Sequence, residues 1–265
     1  MSVPTVATDA RLTYGGAVRS EFLKLSTMRG MWWIAITAVV ITLVTHLTTS
    51  AQAVTEDLPL WTITTISSVL SVSWVIVACF NALQTTGEWS SGQYRVTFAT
   101  VPRRTLWLAA KATAQGVYAA VVSLLVLVTS APAVLLRFSA DGASIDWSLP
   151  HTWQVIIGVP AVFFVTAFLA VGIGALVRSS GVAVTIVIGL LAVLPFAGAF
   201  SLFGMEWIGH LISYLPTGAA DSIVGAGAFG PTTDDLGVLG GAAVLLAWTA
   251  VAFFGAAAAM KNRDA

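Results

Sequence analysis

Residues 153–177 read WQVIIGVPAVFFVTAFLAVGIGALV, a run of 25 residues without a charged side chain. The 265-residue chain contains six stretches without Asp, Glu, Lys or Arg, each at least 25 residues long: 30–55, 58–87, 112–136, 147–177, 179–205 and 236–260. A helix of about 20 apolar residues crosses the hydrocarbon core of a bilayer. Because backbone groups in lipid must bond internally, and because these runs lack the alternation of barrel strands, each one predicts a transmembrane helix.

The composition excludes several classes of protein. Only 9% of the residues are charged, 57% are hydrophobic and the mean hydropathy is +0.90. A soluble domain carries about 25% charged residues, so a soluble enzyme, a disordered chain and a nucleic-acid-binding protein are all excluded. The sequence predicts an all-α integral membrane protein with spans at about 31–50, 60–84, 108–135, 153–177, 182–204 and 237–259. Residues 1–30 form an N-terminal segment, and 261–265 form a tail.

The basic residues predict the orientation of the six spans. With an even number of spans, eleven of the twelve Lys and Arg residues fall on the side of the two termini, and only Arg137 falls opposite. Excess Lys and Arg marks the cytoplasmic side of a membrane. We therefore expect a multi-pass protein of the cell membrane with both termini in the cytoplasm.

The segment before the first span has the pattern of a short interfacial helix. Four apolar residues recur at i, i+4, i+8 and i+11 on one helical face: Tyr14, Val18, Phe22 and Leu25. Arg19 and Lys24 lie off this face, where they could meet lipid headgroups. Glu21 crowds the apolar side, and a basic flank without fixed structure is the alternative.

The longest cytoplasmic connection, residues 85–107, is predicted to contain a short helix below the membrane. Gly87 and Gly92 interrupt the segment twice, and Pro102 suits the first turn of a helix that continues through Arg103 and Arg104 into the third span. Such a helix would offer a surface that a soluble partner could bind.

On the opposite side, residues 205–235 are too apolar for a free loop and too interrupted by charges for another span. One or two half-buried helices that re-enter the outer leaflet fit this pattern. Asp221 is expected there as a solvated charge at a helix end.

Hydroxyl groups are the main polar groups within the spans, and no span carries a charge at mid-membrane. Residues 62–73 contain seven hydroxyls, which could either join helices or line a path for a substrate. The candidate path residues are Ser67, Ser71 and Asn81. An ion-coupled carrier usually needs an ionisable group inside the membrane, and none is present.

Motifs for catalysis are also missing from the sequence. The chain has no G-x-x-x-x-G-K-[ST] phosphate loop, no zinc-binding His or Cys cluster and no G-x-S-x-G elbow. We predict no catalytic residue, no metal site and no cofactor bound by this chain. By itself it is not expected to be an enzyme.

Three motifs carry a resemblance to a known family. Residues 19–25 (RSEFLKL) precede Trp32-Trp33 at the start of the first span, and residues 88–93 (EWSSGQ) are followed by 98–104 (FATVPRR). Together with six spans, these motifs resemble the permease subunits of type-2 ABC exporters, most closely the actinobacterial branch. Gly92-Gln93 stands where the family often has Gly-Thr, a departure that affects any role of that hydroxyl.

The resemblance implies a separate soluble ABC ATPase that binds ATP and Mg, and a second permease copy, either identical or a close paralogue. It implies that the N-terminal interfacial helix and a coupling helix between spans 2 and 3 contact the ATPase. The implied interface residues are Glu88, Gly92, Arg95, Pro102, Arg103 and Arg104, and those of the interfacial helix are Arg19, Phe22 and Lys24. The outer re-entrant hairpin would correspond to 205–225, between spans 5 and 6.

The expected function is ATP-driven export of an amphipathic or hydrophobic substrate, such as a drug, a peptide antibiotic or a lipid. The path would lie at the dimer seam, between the first, second and fifth spans. Two alternatives remain: a secondary carrier or channel that needs no ATPase, and a membrane immunity or sensory subunit that binds its ligand without pumping it.

Overall fold

The computed structural model describes residues 13–48, 58–100, 103–197, 205–225 and 236–263. Within these ranges the chain is 90% helical and contains no strand. Six helical stretches are long and apolar enough to cross a membrane: Arg29–Thr48, Leu58–Ser90, Arg104–Arg137, Pro150–Val177, Ser180–Ala197 and Gly237–Asn262. The prediction of an all-α, multi-pass membrane protein with six spans is confirmed.

The helices in chain order are α1 (Tyr14–Thr27), α2 (Arg29–Thr48), α3 (Leu58–Ser68), α4 (Leu70–Ser90), α5 (Gln93–Thr100), α6 (Arg104–Arg137), α7 (Pro150–Val177), α8 (Ser180–Ile188), α9 (Glu206–Ser213), α10 (Pro216–Val224) and α11 (Gly237–Arg263). The second span consists of α3 and α4 with a break at Val69, and the fifth continues from α8 into a π-helical turn, Gly189–Val193.

The third span is longer than the sequence pattern predicts. Helix α6 has 34 residues, about 51 Å at 1.5 Å per residue, which exceeds the hydrocarbon core of about 30 Å. Its first residue is Arg104, and Arg103 is its N-cap. Pro102, predicted at the first turn of this helix, lies outside the described residues, as do 1–12, 49–50, 198–204 and 264–265 from the other predicted segments.

Helix α7 is the central element of the bundle and packs against α4, α6 and α11. A Cβ atom at Gly172 would lie 2.7 Å from the backbone carbon of Ala252, so only glycine permits this approach of α7 and α11. Small residues at such crossings let membrane helices pack closely. Close packing supplies van der Waals attraction, which is important because helices surrounded by lipid gain no hydrophobic driving force for association.

Hydroxyl groups join several of the spans. Thr42 Oγ1 and Ser73 Oγ are 2.5 Å apart between α2 and α4, and Trp74 Nε1 donates to Thr166 Oγ1 of α7 at 3.0 Å. Thr86 Oγ1 lies 2.8 Å from Ser180 Oγ at the start of α8. Within residues 62–73, Ser73 joins the second span to the first, whereas the hydroxyls of Thr62, Thr64, Thr65, Ser67 and Ser68 donate to carbonyls of their own helix.

The two ends of the bundle differ in character. One end, called here the charged end, carries α1, α5, the turn between α7 and α8, and the C-terminus of α11; Arg104 Nη1 donates to Met260 O there at 3.0 Å. The other end carries α9 and α10. Asp221, expected in solvent, is instead buried in α10, because α7 and α11 pack over that helix.

Candidate functional site

The charged end brings together most of the residues that the sequence singled out. Helix α4 ends at Ser90, and the chain turns at Gly92, whose φ is +73°. Ser91 Oγ donates to Gly87 O at 2.8 Å and ends the helix. The backbone N–H of Arg95 donates to Gly92 O at 3.1 Å, so α5 begins directly after the turn. The sequence thus places a short helix between α4 and α6.

Four charged residues from three helices meet at this end in an ion cluster, formed by Glu21 and Lys24 of α1, Glu88 of α4 and Lys111 of α6. Lys24 Nζ lies 2.6 Å from Glu21 Oε1 and 3.6 Å from Glu88 Oε1. Lys111 Nζ lies 2.8 Å from Glu88 Oε1 and 3.5 Å from Glu21 Oε2. The formal charges cancel within the cluster, and each lysine contacts both acids.

Three of these four residues are nearly removed from solvent: Glu21, Glu88 and Lys111 are 5%, 6% and 4% exposed. A buried charge is tolerated only when it is paired and hydrogen-bonded, so the four groups depend on one another. Burial lowers the pKa of Lys24, but the hydrogen bond and charge of Glu21, together with the charge of Glu88, outweigh that effect and raise the pKa above its ordinary value.

An aromatic cluster lies beside the ion cluster and holds α5 against the bundle. Trp89 stacks on Tyr94 of α5 with ring centroids 4.6 Å apart, and Phe98 packs edge-on against Trp107 of α6 at 5.3 Å. Trp89 also meets Trp107 edge-on at 6.5 Å. Such aromatic pairs are worth about 0.5–1.5 kcal/mol each beyond the area that they bury.

Arginine side chains cover the faces of these rings. The guanidinium carbon of Arg104 lies 5.5 Å from the Phe98 ring centroid, and that of Arg178, in the turn between α7 and α8, lies 4.0 Å from the Trp89 ring centroid. Both distances are within the range of cation–π attraction. Helix α5 is therefore connected to α6 and, through Trp89, to the fourth and fifth spans.

The predicted interface residues have different environments. Glu88 is in the ion cluster, Gly92 forms the turn before α5, and Arg104 is engaged with α5 and α11. Arg95 and Arg103 are exposed; Arg95 Nε donates to the hydroxyl of Tyr94 at 3.3 Å. Of the six predicted residues, only Pro102 lies outside the described chain.

Helix α1 forms, and its contact with the bundle includes residues outside the apolar face read from the sequence. The residues turned toward the bundle are Ala17, Glu21 and Leu25, whereas Phe22 and Arg19 are exposed. Lys24 is in the ion cluster rather than free to meet lipid headgroups. The reason is electrostatic: Lys111 on α6 draws the Glu21 carboxylate inward, and Tyr14 Oη pairs with Thr113 Oγ1 at 2.6 Å beside it.

The three candidate path residues also differ from one another. Ser67 is buried, and its hydroxyl donates to Ile63 O and Thr64 O of its own helix, at 3.1 and 3.0 Å. Ser71 is partly exposed. Asn81 is 1% exposed, and neither atom of its amide has a hydrogen-bond partner among the described residues. The Asn81 amide therefore makes no hydrogen bond to Ser67 or Ser71.

Glu21, Lys111, Trp89, Trp107 and Arg178 belong to this site but were not predicted as site residues. Two of the five, Glu21 and Lys111, carry a signal in the sequence. Glu21 stands among apolar residues of α1, which is unfavourable for an acid unless a cation lies opposite, and Lys111 directly precedes an uncharged stretch of 25 residues. Trp89 and Arg178 carry no such signal, because their contact joins residues 89 positions apart in the chain.

A cavity of about 440 Å³ opens beside the ion cluster and is lined by Gln84, Gln93 and all four charged residues. Glu88 Oε2 is buried there and accepts no hydrogen bond from the described chain. No group of three or more His, Cys, Asp or Glu side chains that could hold a metal ion occurs in the described ranges. The ion and aromatic clusters of this site connect neighbouring helices, and the short helix α5 leaves one side exposed.

Comparison with models of known protein families gives no match, and comparison with curated proteins gives none either.

Proposed function

We propose that this chain is the membrane-spanning permease subunit of an ATP-binding cassette exporter, driven by a separate soluble ATPase that binds ATP and Mg. The observation that carries the proposal is α5, a short helix at the charged end that packs against α4 and α6 and presents an exposed side. In this function α5 is the coupling helix and α1 is the interfacial helix.

A coupling helix must be exposed enough to bind a partner and attached firmly enough to move the spans. Val96 on α5 is 68% exposed, and Arg95 beside it is exposed as well. The opposite side of α5 carries Tyr94 and Phe98, which pack into the aromatic cluster. Force applied to the exposed side would therefore reach α4, α6 and the turn between α7 and α8.

The ion cluster adds α1 to the same moving unit. Glu21 and Lys24 connect α1 with Glu88 at the end of α4 and with Lys111 near the start of α6. Buried, paired charges keep a defined geometry, since any displacement exposes an unpaired ion. We therefore expect α1, α5 and the adjoining ends of α4 and α6 to move together as one rigid unit.

The charge distribution supports a cytoplasmic position for this rigid unit of α1, α5 and the adjoining helix ends. Eleven of twelve Lys and Arg residues fall on the side of the two termini, as expected for the cytoplasmic side. The ATPase would bind there, and α9 and α10 would form the outer re-entrant hairpin.

Export in this family-like arrangement needs a second permease copy, identical or a close paralogue. The first, fifth and sixth spans have few residues buried within one chain, and exposed residues of the first span include Trp33, Val44 and Leu47. A seam between copies would cover part of this surface. Since the spans carry no charge at mid-membrane, the proposed substrate is amphipathic or hydrophobic.

The test is purification of the tagged chain from its native membrane, with identification of the proteins that accompany it. We expect an ATP-binding protein among them, and we expect its rate of ATP hydrolysis in proteoliposomes to depend on the presence of this chain. Charge reversal on the coupling helix, Arg95→Glu, should lower recovery of the ATPase about tenfold, the scale of one lost interface charge pair. Lys261→Glu, an exposed charge at the same end but outside α5, is the matched control and should leave recovery unchanged.

Absence of any ATP-binding protein from the purified complex would contradict the proposed function. Equal loss of the ATPase in both variants would contradict the assignment of α5, because a general effect of charge at this end would then explain the result.

A further inference from the structure

Arg178 has a backbone conformation that is unusual for its residue type. It ends α7 with φ at 59°, in the left-handed region, and is the one non-glycine residue with positive φ in the described ranges. Glycine would adopt this conformation without steric cost. A non-glycine residue at such a position requires surrounding contacts that fix it, and such residues cluster at functional sites.

One contact of the Arg178 side chain is with Trp89, near the end of α4. Its guanidinium carbon lies 4.0 Å from the Trp89 ring centroid, the shortest of the cation–π distances found in the described chain. Trp89 in turn stacks on Tyr94 of α5, with 29° between the ring planes. A continuous line of contacts therefore runs from α5 through Trp89 to the turn that begins the fifth span.

The fifth span is suited to respond to a push at that turn. Thr86 of α4 pairs with Ser180, the first residue of α8, at 2.8 Å. Beyond α8 the helix widens into the π-helical turn Gly189–Val193. Turns of this type weaken the regular hydrogen-bond ladder and are frequent at functional sites. The span also leaves most of its surface uncovered by the rest of the chain.

We propose that Arg178 is a positioning residue that transmits movement of α5, through Trp89, to the fifth span. This inference rests on the proposed function, because it names a second route by which the coupling helix acts, alongside the direct connections to α4 and α6. The backbone conformation of this turn alone would favour glycine. On this view arginine occupies the position because its side chain is needed for the contact with Trp89.

The first experiment compares Arg178→Gly with Arg178→Lys in proteoliposomes that contain the co-purified ATPase. Arg178→Gly relieves the backbone strain and removes the cation, which have opposite effects on stability. We therefore expect only a small change in melting temperature and an ATPase recovery close to that of the wild type. Transport per ATP hydrolysed should fall roughly three- to thirtyfold, the range that one cation–π contact spans. Arg178→Lys keeps a cation over the ring and should restore part of the coupling.

A double-substitution cycle tests whether Trp89 is the partner. Trp89→Leu also removes the ring contacts with Tyr94 and Trp107, so it should reduce transport per ATP at least as much as Arg178→Gly. The combined variant should be no worse than Trp89→Leu alone, because the contact with Arg178 is already lost in that variant. Full additivity of the two losses, or wild-type coupling in Arg178→Gly, would overturn the proposal.

A measurement without the ATPase separates this inference from the proposed function. Spin labels at Val96→Cys on α5 and Val182→Cys on α8, in a Cys79→Ser background, report the distance between the two helices in lipid. We expect Arg178→Gly to broaden the distance distribution and Arg178→Lys to narrow it again. Equal widths of the distance distribution with arginine, glycine and lysine at position 178 would refute the connection between α5 and the fifth span. Absence of an ATPase partner would refute only the proposed function.

Discussion

Glu88 is shared by two lysines from different helices, since its Oε1 contacts both Lys111 Nζ and Lys24 Nζ. Moving a charge out of water costs several kcal/mol, and the attraction of a partner regains this only in good geometry. A chain with 9% charged residues nevertheless buries three of them at one contact. The cluster therefore serves to fix the relative positions of α1, α4 and α6 more than to add net stability.

The dependence of these charges on one another gives a prediction for Lys111→Met. The change leaves Glu21 and Glu88 buried with Lys24 as their remaining cation, so the free energy of unfolding should fall by about 3–5 kcal/mol. Lys24→Met is the matched control: the Lys24 side chain is 31% exposed, so water can replace part of its interaction. The loss should be clearly smaller. Thermal unfolding in detergent measures both, and equal losses would contradict the dominant role of Lys111.

At the level of the helices, the sequence predicted the elements better than their contacts. The six spans follow from uncharged stretches that only a membrane tolerates, and a helix between the second and third spans follows from the segment between Gly92 and Arg104. Apolar periodicity placed Phe22 on the apolar face of an interfacial helix, but it gave no sign that α1 turns Glu21 toward the bundle. That choice depends on Lys111, 90 residues away, which local periodicity cannot register.

The turn between α4 and α5 supports a prediction with an internal control. Gly92 has φ +73°, Gly87 is helical, and a Cβ atom at either would meet nothing within 4 Å. Gly92→Ala should therefore destabilise through backbone strain alone, by about 1–2 kcal/mol. Gly87→Ala should be neutral or stabilise by about 0.5–1 kcal/mol, because alanine loses less backbone entropy in a helix. Unfolding in detergent would show shifts of opposite sign; a loss in both would indicate crowding rather than strain.

On the scale of the whole molecule, the arrangement of charge is the feature that the sequence predicts most directly. Among the eleven Lys and Arg residues in the described ranges, Arg137 alone lies at its end of the bundle, and the ion and aromatic clusters lie at the other end, with α1 and α5. A contact surface for the proposed second copy could not be predicted to the residue, because the uncovered apolar faces of the first, fifth and sixth spans suit lipid and protein equally well. Orientation, in contrast, has a direct physical readout.

Labelling of single cysteines with a membrane-impermeant maleimide gives this readout in intact cells. Ser90→Cys at the end of α4 and Ser144→Cys between α6 and α7 are matched changes, because both serines are exposed and they lie at opposite ends of the bundle. In a Cys79→Ser background, Ser144→Cys should react in intact cells, and Ser90→Cys should react only after lysis, because an excess of basic residues predicts a cytoplasmic position for the end that carries α5. The reverse pattern would place α5 outside the cell, where no ATP-hydrolysing partner could drive it, and would refute the orientation together with the function built on it.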